Sequence, residues 1–161
     1  MALAVLVVGH PPSIAAAVRL IIACVGKIRT PFEDDIAHYE RLLARHVRLE
    51  TIELPESDPE REGAMLLKRI PKEAYVCALD REGRSLSSED LAGLLEERRA
   101  AGRDVCFVLG GPFGFSEAVL NRAAERISLG AITLPHQLAR VVLLEQLFRA
   151  HKIVLGQQYH Y

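Results

Sequence analysis

Beyond residue 17 the chain alternates short apolar runs, rich in β-branched residues, with longer stretches of helical apolar spacing. That alternation is the pattern of a parallel α/β sheet. VRLIIACV (18–25) reads as a first buried strand. Thr30, Pro31 and Glu33 then supply an N-cap, a first-turn proline and a capping-box glutamate for a helix running to about His46. VRLETIEL (47–54) alternates apolar and polar positions, predicting a strand with one exposed face, near an edge of the sheet. Pro55 to Glu62 is acidic and turn-rich, a surface loop ahead of a short helix ending near Ile70. AYVCAL (74–79) is the third strand and Asp80-Arg81-Glu82-Gly83 a turn. Ser87-Ser88 caps a helix that ends around Ala101-Gly102. VCFVL (105–109), the fourth strand, runs directly into Gly110-Gly111-Pro112-Phe113-Gly114-Phe115-Ser116 and a helix over about 117–125. RISLGAITL (126–134) reads as a short strand and loop. Pro135-His136 opens a last helix reaching about Ile153, with Gly156 before the tail Gln157-Gln158-Tyr159-His160-Tyr161. No repeat, low-complexity run or interdomain linker interrupts this order.

Composition narrows the class. The chain has 161 residues, 50 % hydrophobic and 25 % charged, the balance of one soluble globular domain. A formal net charge of −1 provides no overall basic field, so any nucleic acid must be recognised by a local patch or by shape. Cys24, Cys77 and Cys106 each lie inside an apolar run and form no C-x-x-C pair. They read as buried thiols in a reducing cytoplasm, which leaves no metal site. The opening MALAVLVVGHPPSIAAA lacks a preceding positive charge, and its apolar stretch is short for a signal peptide and far too short to span a membrane. Residues 1–17 are therefore expected to be an extension outside the fold, and Val18 to be the natural first residue, read from an alternative start codon.

Four segments can carry chemistry. In LGGPFGFS (109–116), glycines after a buried strand allow a ligand to approach the backbone, although a plain tight turn explains them equally well. Neither the dinucleotide nor the P-loop fingerprint is present. In ISLGAITLPHQLAR (127–140), Gly130 divides two apolar pieces. Such a loop can grip a planar base by its backbone, or can simply end a strand. The last helix is apolar around most of its circumference (Leu138, Val141, Val142, Leu143, Leu144, Leu147, Phe148), more than packing on one sheet requires. A homodimer through this helix is the expected use of the excess. Finally, His136, Arg140, Arg149, His151, Lys152, Tyr159 and His160 make the C-terminal end polar and locally basic.

These same stretches carry a resemblance. LGGPFGFS, SLGAITLPHQLARVVLLEQLFRAHKI, the final QQYHY and the opening IIACVGKIRTPFEDDIAHYERLL resemble the RlmH family of SPOUT-class methyltransferases, over about residues 18–161. The resemblance implies a single SPOUT-type domain with a C-terminal trefoil knot, a topology that general folding rules would have argued against. It implies a cytoplasmic homodimer that uses S-adenosyl-L-methionine to methylate N3 of a pseudouridine in large-subunit (23S) rRNA on assembled ribosomes. Matched position by position, it assigns the cofactor to Leu79, Gly110, Leu129, Gly130, Ala131, Ile132, Thr133 and Leu134.

Methylation at N3 requires positioning and loss of an imide proton. His136, Arg140, Tyr159 and His160 are the expected catalytic group, a histidine as base and Arg140 on phosphate or developing charge. Two other readings stand beside this one: a SPOUT enzyme acting on another RNA such as tRNA, and a non-enzymatic ribosome-binding dimer.

Overall fold

The computed structural model describes residues 18–159. Residues 1–17, with the expected extension, and His160 with Tyr161 lie outside the described residues.

Five strands form one parallel sheet: β1 (Arg19–Val25), β2 (Arg48–Leu54), β3 (Tyr75–Ser85), β4 (Val105–Leu109) and β5 (Glu125–Ser128), in spatial order β2-β1-β4-β3-β5. The alternating 47–54 segment is an edge strand, as its pattern predicts. Its Ile52 and Leu54 are buried while Thr51 and Glu53 are exposed. Continuous apolar runs at β1 and β4 occupy the centre, covered on both faces.

Helices α1 (Glu33–Ala44), α3 (Ser88–Ala100) and α5 (His136–Val154) cover one face, meeting Leu20, Ile22, Cys77 and Phe107. Helices α2 (Pro59–Arg69) and α4 (Glu117–Arg122) cover the other, over Ile21, Ala23, Val76 and Val108. All three cysteines are buried, and burial pushes each thiol up to about 12, so they stay protonated and inert.

Local capping agrees with the sequence in part. Ser87 and Asp90 make the reciprocal capping box of α3. α2 begins earlier than expected, because Asp58 accepts the Arg61 N–H (2.9 Å) and Pro59 starts the helix; the acidic loop is correspondingly shorter. α1 begins at Glu33 with no side-chain cap, and Pro31 lies in the preceding turn. Acidic Glu33, Asp34 and Asp35 meet the exposed amides of that first turn instead.

The expected turn at 80–83 is a bulge within β3. Leu79 and Arg84 both pair with Ile127, and the residues between them loop out. Gly83 closes this excursion against β5: a methyl group there would stand 2.5 Å from the Arg126 carbonyl carbon and 2.6 Å from the Ile127 nitrogen. Those are backbone atoms that cannot swing aside. Gly83→Ala is therefore expected to lower stability by about 2–3 kcal/mol. An unchanged midpoint in urea unfolding would show that β5 yields freely.

α5 is surrounded on three sides. Leu143, Leu144 and Leu147 are fully buried in the α1–α3–α5 core. Of the apolar residues that pointed to a dimer seam, Leu143, Leu144, Leu147 and Phe148 are used inside the chain, so a charge at Leu144 or Leu147 would act on folding. What α5 leaves half-covered is Leu138, Val141 and Val142, and its last turn, Ile153 and Val154, is exposed, followed by exposed Leu155.

Where α1 and α5 end together, the His46 and His151 rings lie 5.0 Å apart. Burial holds both below the ordinary histidine range, with Lys152 repelling a proton at each, Arg45 doing so at His46, and His46 and Arg99 at His151; Glu96 alone opposes this at His151. The unfolded chain therefore binds protons first as pH falls, so this contribution is complete well above about pH 6.5 and disappears as pH drops through that value. Melting temperature should decrease from pH 7.5 to 5.5, less steeply in His46→Gln/His151→Gln. Equal slopes would remove the pair as the cause.

Candidate active site

In a parallel sheet all strands end on one rim, and ligands bind where successive connections leave on opposite faces. β1 and β4 are adjacent, yet β1 leads to α1 on one face and β4 to α4 on the other. The rim beyond β4, β3 and β5 is formed by three neighbouring segments, since Ala78 pairs with Val108 and Leu79 with Ile127. Leu79, Gly110 and the 129–134 loop are thereby brought onto one stretch of rim from distant parts of the chain.

The 110–116 loop is held by its glycines. Gly110 lies beneath the Phe115 ring, and the Gly114 N–H donates to the Gly111 carbonyl (3.1 Å), closing a turn with Gly114 at φ +80°. Ser116 is buried and caps α4, accepting the Val119 N–H at 3.5 Å. Behind the turn stand two residues of α2, Glu62 from the end of the segment expected to be a loop and Gly63 from the expected helix. Glu62, 2 % exposed, accepts the Ser57 N–H (2.7 Å), and its carboxylate lies against Gly111. Gly63 allows α2 to reach Ser116, where a methyl group would come within 2.2 Å of the hydroxyl oxygen. A glycine among good helix formers was the available signal for that close approach.

The 129–134 loop is open. Ser128 braces its start, donating to the Gly130 carbonyl (2.9 Å) and accepting the Gly130 N–H (3.2 Å), while Gly130 takes φ +117°. Ala131, Ile132 and Thr133 are exposed, and Leu129 and Leu134 half-buried. Among the described residues, the backbone N–H groups of 131–134 find no partner within the chain.

The expected catalytic residues separate into two places. His136 and Arg140 share the start of α5 beside Gly26, lining a cleft of about 10 Å³ with Cys24, Lys27, Leu109 and Gln137. This volume admits about one water molecule. The His136 Nε2 is buried without a hydrogen bond, 4.0 Å from a Glu56 carboxylate oxygen. Gln137 receives the Arg29 N–H (2.9 Å), tying the β1–α1 loop to α5. Arg140, only 4 % exposed, is held by Glu53 (2.7 Å) and Glu40 (3.3 Å). Its guanidinium is braced by these two carboxylates and lines the same cleft as His136.

Tyr159 lies elsewhere. Its ring stands edge-on to Phe148 (5.3 Å) with the Arg149 guanidinium 4.5 Å above it. Phe148 is twelve residues beyond His136, about 18 Å along the helix. Burial and a hydrogen bond with Tyr39 push the Tyr159 phenol up to about 12, so it keeps its proton near neutrality. It borders a wide polar groove lined by Ser88, Glu89, Gln146 and Arg149.

Among the described residues no cluster of His, Cys, Asp or Glu is arranged to hold a metal ion, and no helix is long and apolar enough to cross a membrane.

A parallel α/β sheet with a glycine turn and an open backbone loop on one rim is the arrangement of a SPOUT-type transferase, and a family model described as "Predicted SPOUT methyltransferase" matches residues 18–160. The protein called ribosomal RNA large subunit methyltransferase H from Rubrobacter xylanophilus is 47 % identical over 155 residues, covering 89 % of this chain and 98 % of that protein. Its namesakes from Listeria monocytogenes (43 % identity; 86 % and 97 %) and Clostridium botulinum (40 %; 88 % and 99 %) are similar over nearly their whole lengths. The chain belongs to the SPOUT methyltransferase family, and within it to the group of ribosomal RNA large subunit methyltransferase H proteins.

Proposed function

We propose that this chain methylates N3 of a pseudouridine in 23S rRNA of assembled ribosomes, with S-adenosyl-L-methionine as donor. The observation that carries the reading is the row of unpartnered backbone N–H groups at 131–134, beside Gly110 and Leu79 on one rim, in a chain of this family. Free amides next to exposed Ile132 and half-buried Leu134 suit an adenine, which offers ring nitrogens as acceptors and flat apolar faces. Leu79, Gly110 and Leu129 through Leu134 would hold the cofactor, whose sulfonium supplies an electrophilic methyl group.

The chain's own part is to orient the acceptor nitrogen, exclude water and accept a proton. His136 is the residue assigned to the proton, because its Nε2 makes no hydrogen bond and its side chain is part-exposed at the start of α5. Glu56, 4.0 Å away, would stabilise the imidazolium that results. Arg140 keeps the start of α5 in place through Glu40 and Glu53.

The same reading includes the trefoil knot, a cytoplasmic location and a homodimer. About 18 Å of helix separates His136 from the surroundings of Tyr159, so the tail of one subunit would complete the site of its partner.

The test is transfer of labelled methyl from S-adenosyl-L-methionine to ribosomes lacking the modification, with free rRNA and tRNA in parallel and nucleoside mass spectrometry of the product. N3-methylpseudouridine on ribosomes alone is the expected result, with cofactor affinity weakened at least tenfold in Gly130→Val, whose backbone must hold φ +117°. Label on tRNA would move the substrate. No label on any RNA from a folded protein would leave the ribosome-binding scaffold.

A further inference from the structure

The two most exposed large apolar side chains among the described residues, Phe113 (80 %) and Ile132 (79 %), both stand on the proposed cofactor rim. A single exposed apolar residue is ordinary on a protein surface. Phe113 differs in how it is held. It occupies the tip of the Gly111–Gly114 turn, with Pro112 limiting the backbone before it and the Gly114 N–H to Gly111 carbonyl bond closing the base. From behind, the buried Glu62 carboxylate presses on Gly111: a methyl group there would be 2.9 Å from both its oxygens. Gly63 brings α2 against Ser116, and Phe115 covers Gly110. The turn is clamped on its inner side, and the aromatic ring at its tip meets only solvent. A ring fixed in advance has little freedom left to lose when a partner arrives.

The charges around it indicate what kind of partner. Exposed Lys27, Arg29 and Arg61 on neighbouring segments are matched by Glu56, Asp58 and Glu60, and the whole chain has a net charge of −1. Around this turn no surplus of positive charge attracts phosphates. Stacking on an aromatic face can fasten RNA instead, since every base has a π-face and single-stranded RNA is held in this way. We propose that Phe113 is a stacking platform for an unpaired nucleobase of the RNA substrate, next to the base to be methylated. This rests on the RNA-methyltransferase reading above.

The chain contains no tryptophan, so Phe113→Trp introduces a single reporter at the turn. Its fluorescence should be quenched by added ribosomes lacking the modification and remain constant when wild-type protein is added instead. In methyl transfer to ribosomes, Phe113→Ala should lose about 10- to 100-fold in kcat/KM, mainly through KM, with unchanged affinity for S-adenosyl-L-methionine. Phe113→Tyr should retain the rate and Phe113→Leu should fail to restore it. A tryptophan indifferent to those ribosomes, a wild-type KM in Phe113→Ala, or full recovery by Phe113→Leu would each overturn the proposal. Quenching by added wild-type protein, or sedimentation altered by Phe113→Ala, would overturn it in favour of a contact with a second copy. Quenching by ribosomes without methyl transfer to them would uphold the stacking and overturn the methyl-transfer reading; transfer without quenching would do the reverse.

Discussion

Leu144→Asp should yield a chain that does not fold, rather than a folded monomer. Leu144 has no exposed surface and belongs to the core that also holds Leu143, Leu147, Ile36 and Phe107. An aspartate there loses the leucine's burial, leaves a gap and places a carboxyl group among hydrocarbon without a partner. Each of these costs several kcal/mol, and together they exceed the 5–15 kcal/mol by which a typical domain is stable, or nearly so. Circular dichroism should show lost helix and strand signal at 25 °C. A folded, monodisperse monomer would show that Leu144 faces a partner subunit. A charge at exposed Ile153 is the substitution that probes the uncovered end of α5 without entering the core.

Arg140→Ala should lose stability and activity together, by about 3 kcal/mol in unfolding free energy. Removing one member of a buried ion pair leaves the other charge with its desolvation uncompensated, which costs about 3–5 kcal/mol when both are fully enclosed. Glu40 and Glu53 retain 28 % and 32 % side-chain exposure, so the lower end applies. Arg140→Lys should recover only part of this, since one ammonium cannot reach both carboxylates in the planar geometry of a guanidinium. Urea unfolding and methyl transfer measured on the same preparations decide the matter. Wild-type stability with abolished transfer would place the guanidinium on the substrate after all.

Arg140 also marks how far sequence reasoning reached. Its position in TLPHQLAR pointed to chemistry, and nothing local indicates that Glu40 and Glu53, 100 and 87 residues away, close around it. The α5 surface is a related case. An apolar circumference reports that a helix is covered, and not by what; here α1 and α3 flank it on the sheet. Glu62 was missed because the acidic composition of 55–62 resembles a loop, while the Asp58 cap and Pro59 start a helix inside it.

The sequence by itself determined the five strand positions, the edge character of 47–54, the buried state of the thiols, the capping of α3 and the family. These follow from hydrophobic period, capping chemistry and a long specific motif, all of which act between near neighbours along the chain. Only the tertiary structure decided the strand order that sets Leu79, Gly110 and the 129–134 loop side by side, the clamp of Glu62 and Gly63 behind the Phe113 turn, and the distance between His136 and Tyr159. Those depend on which distant segments meet. The free energy of such meetings comes from burial and shape across the whole sheet, which no local pattern records.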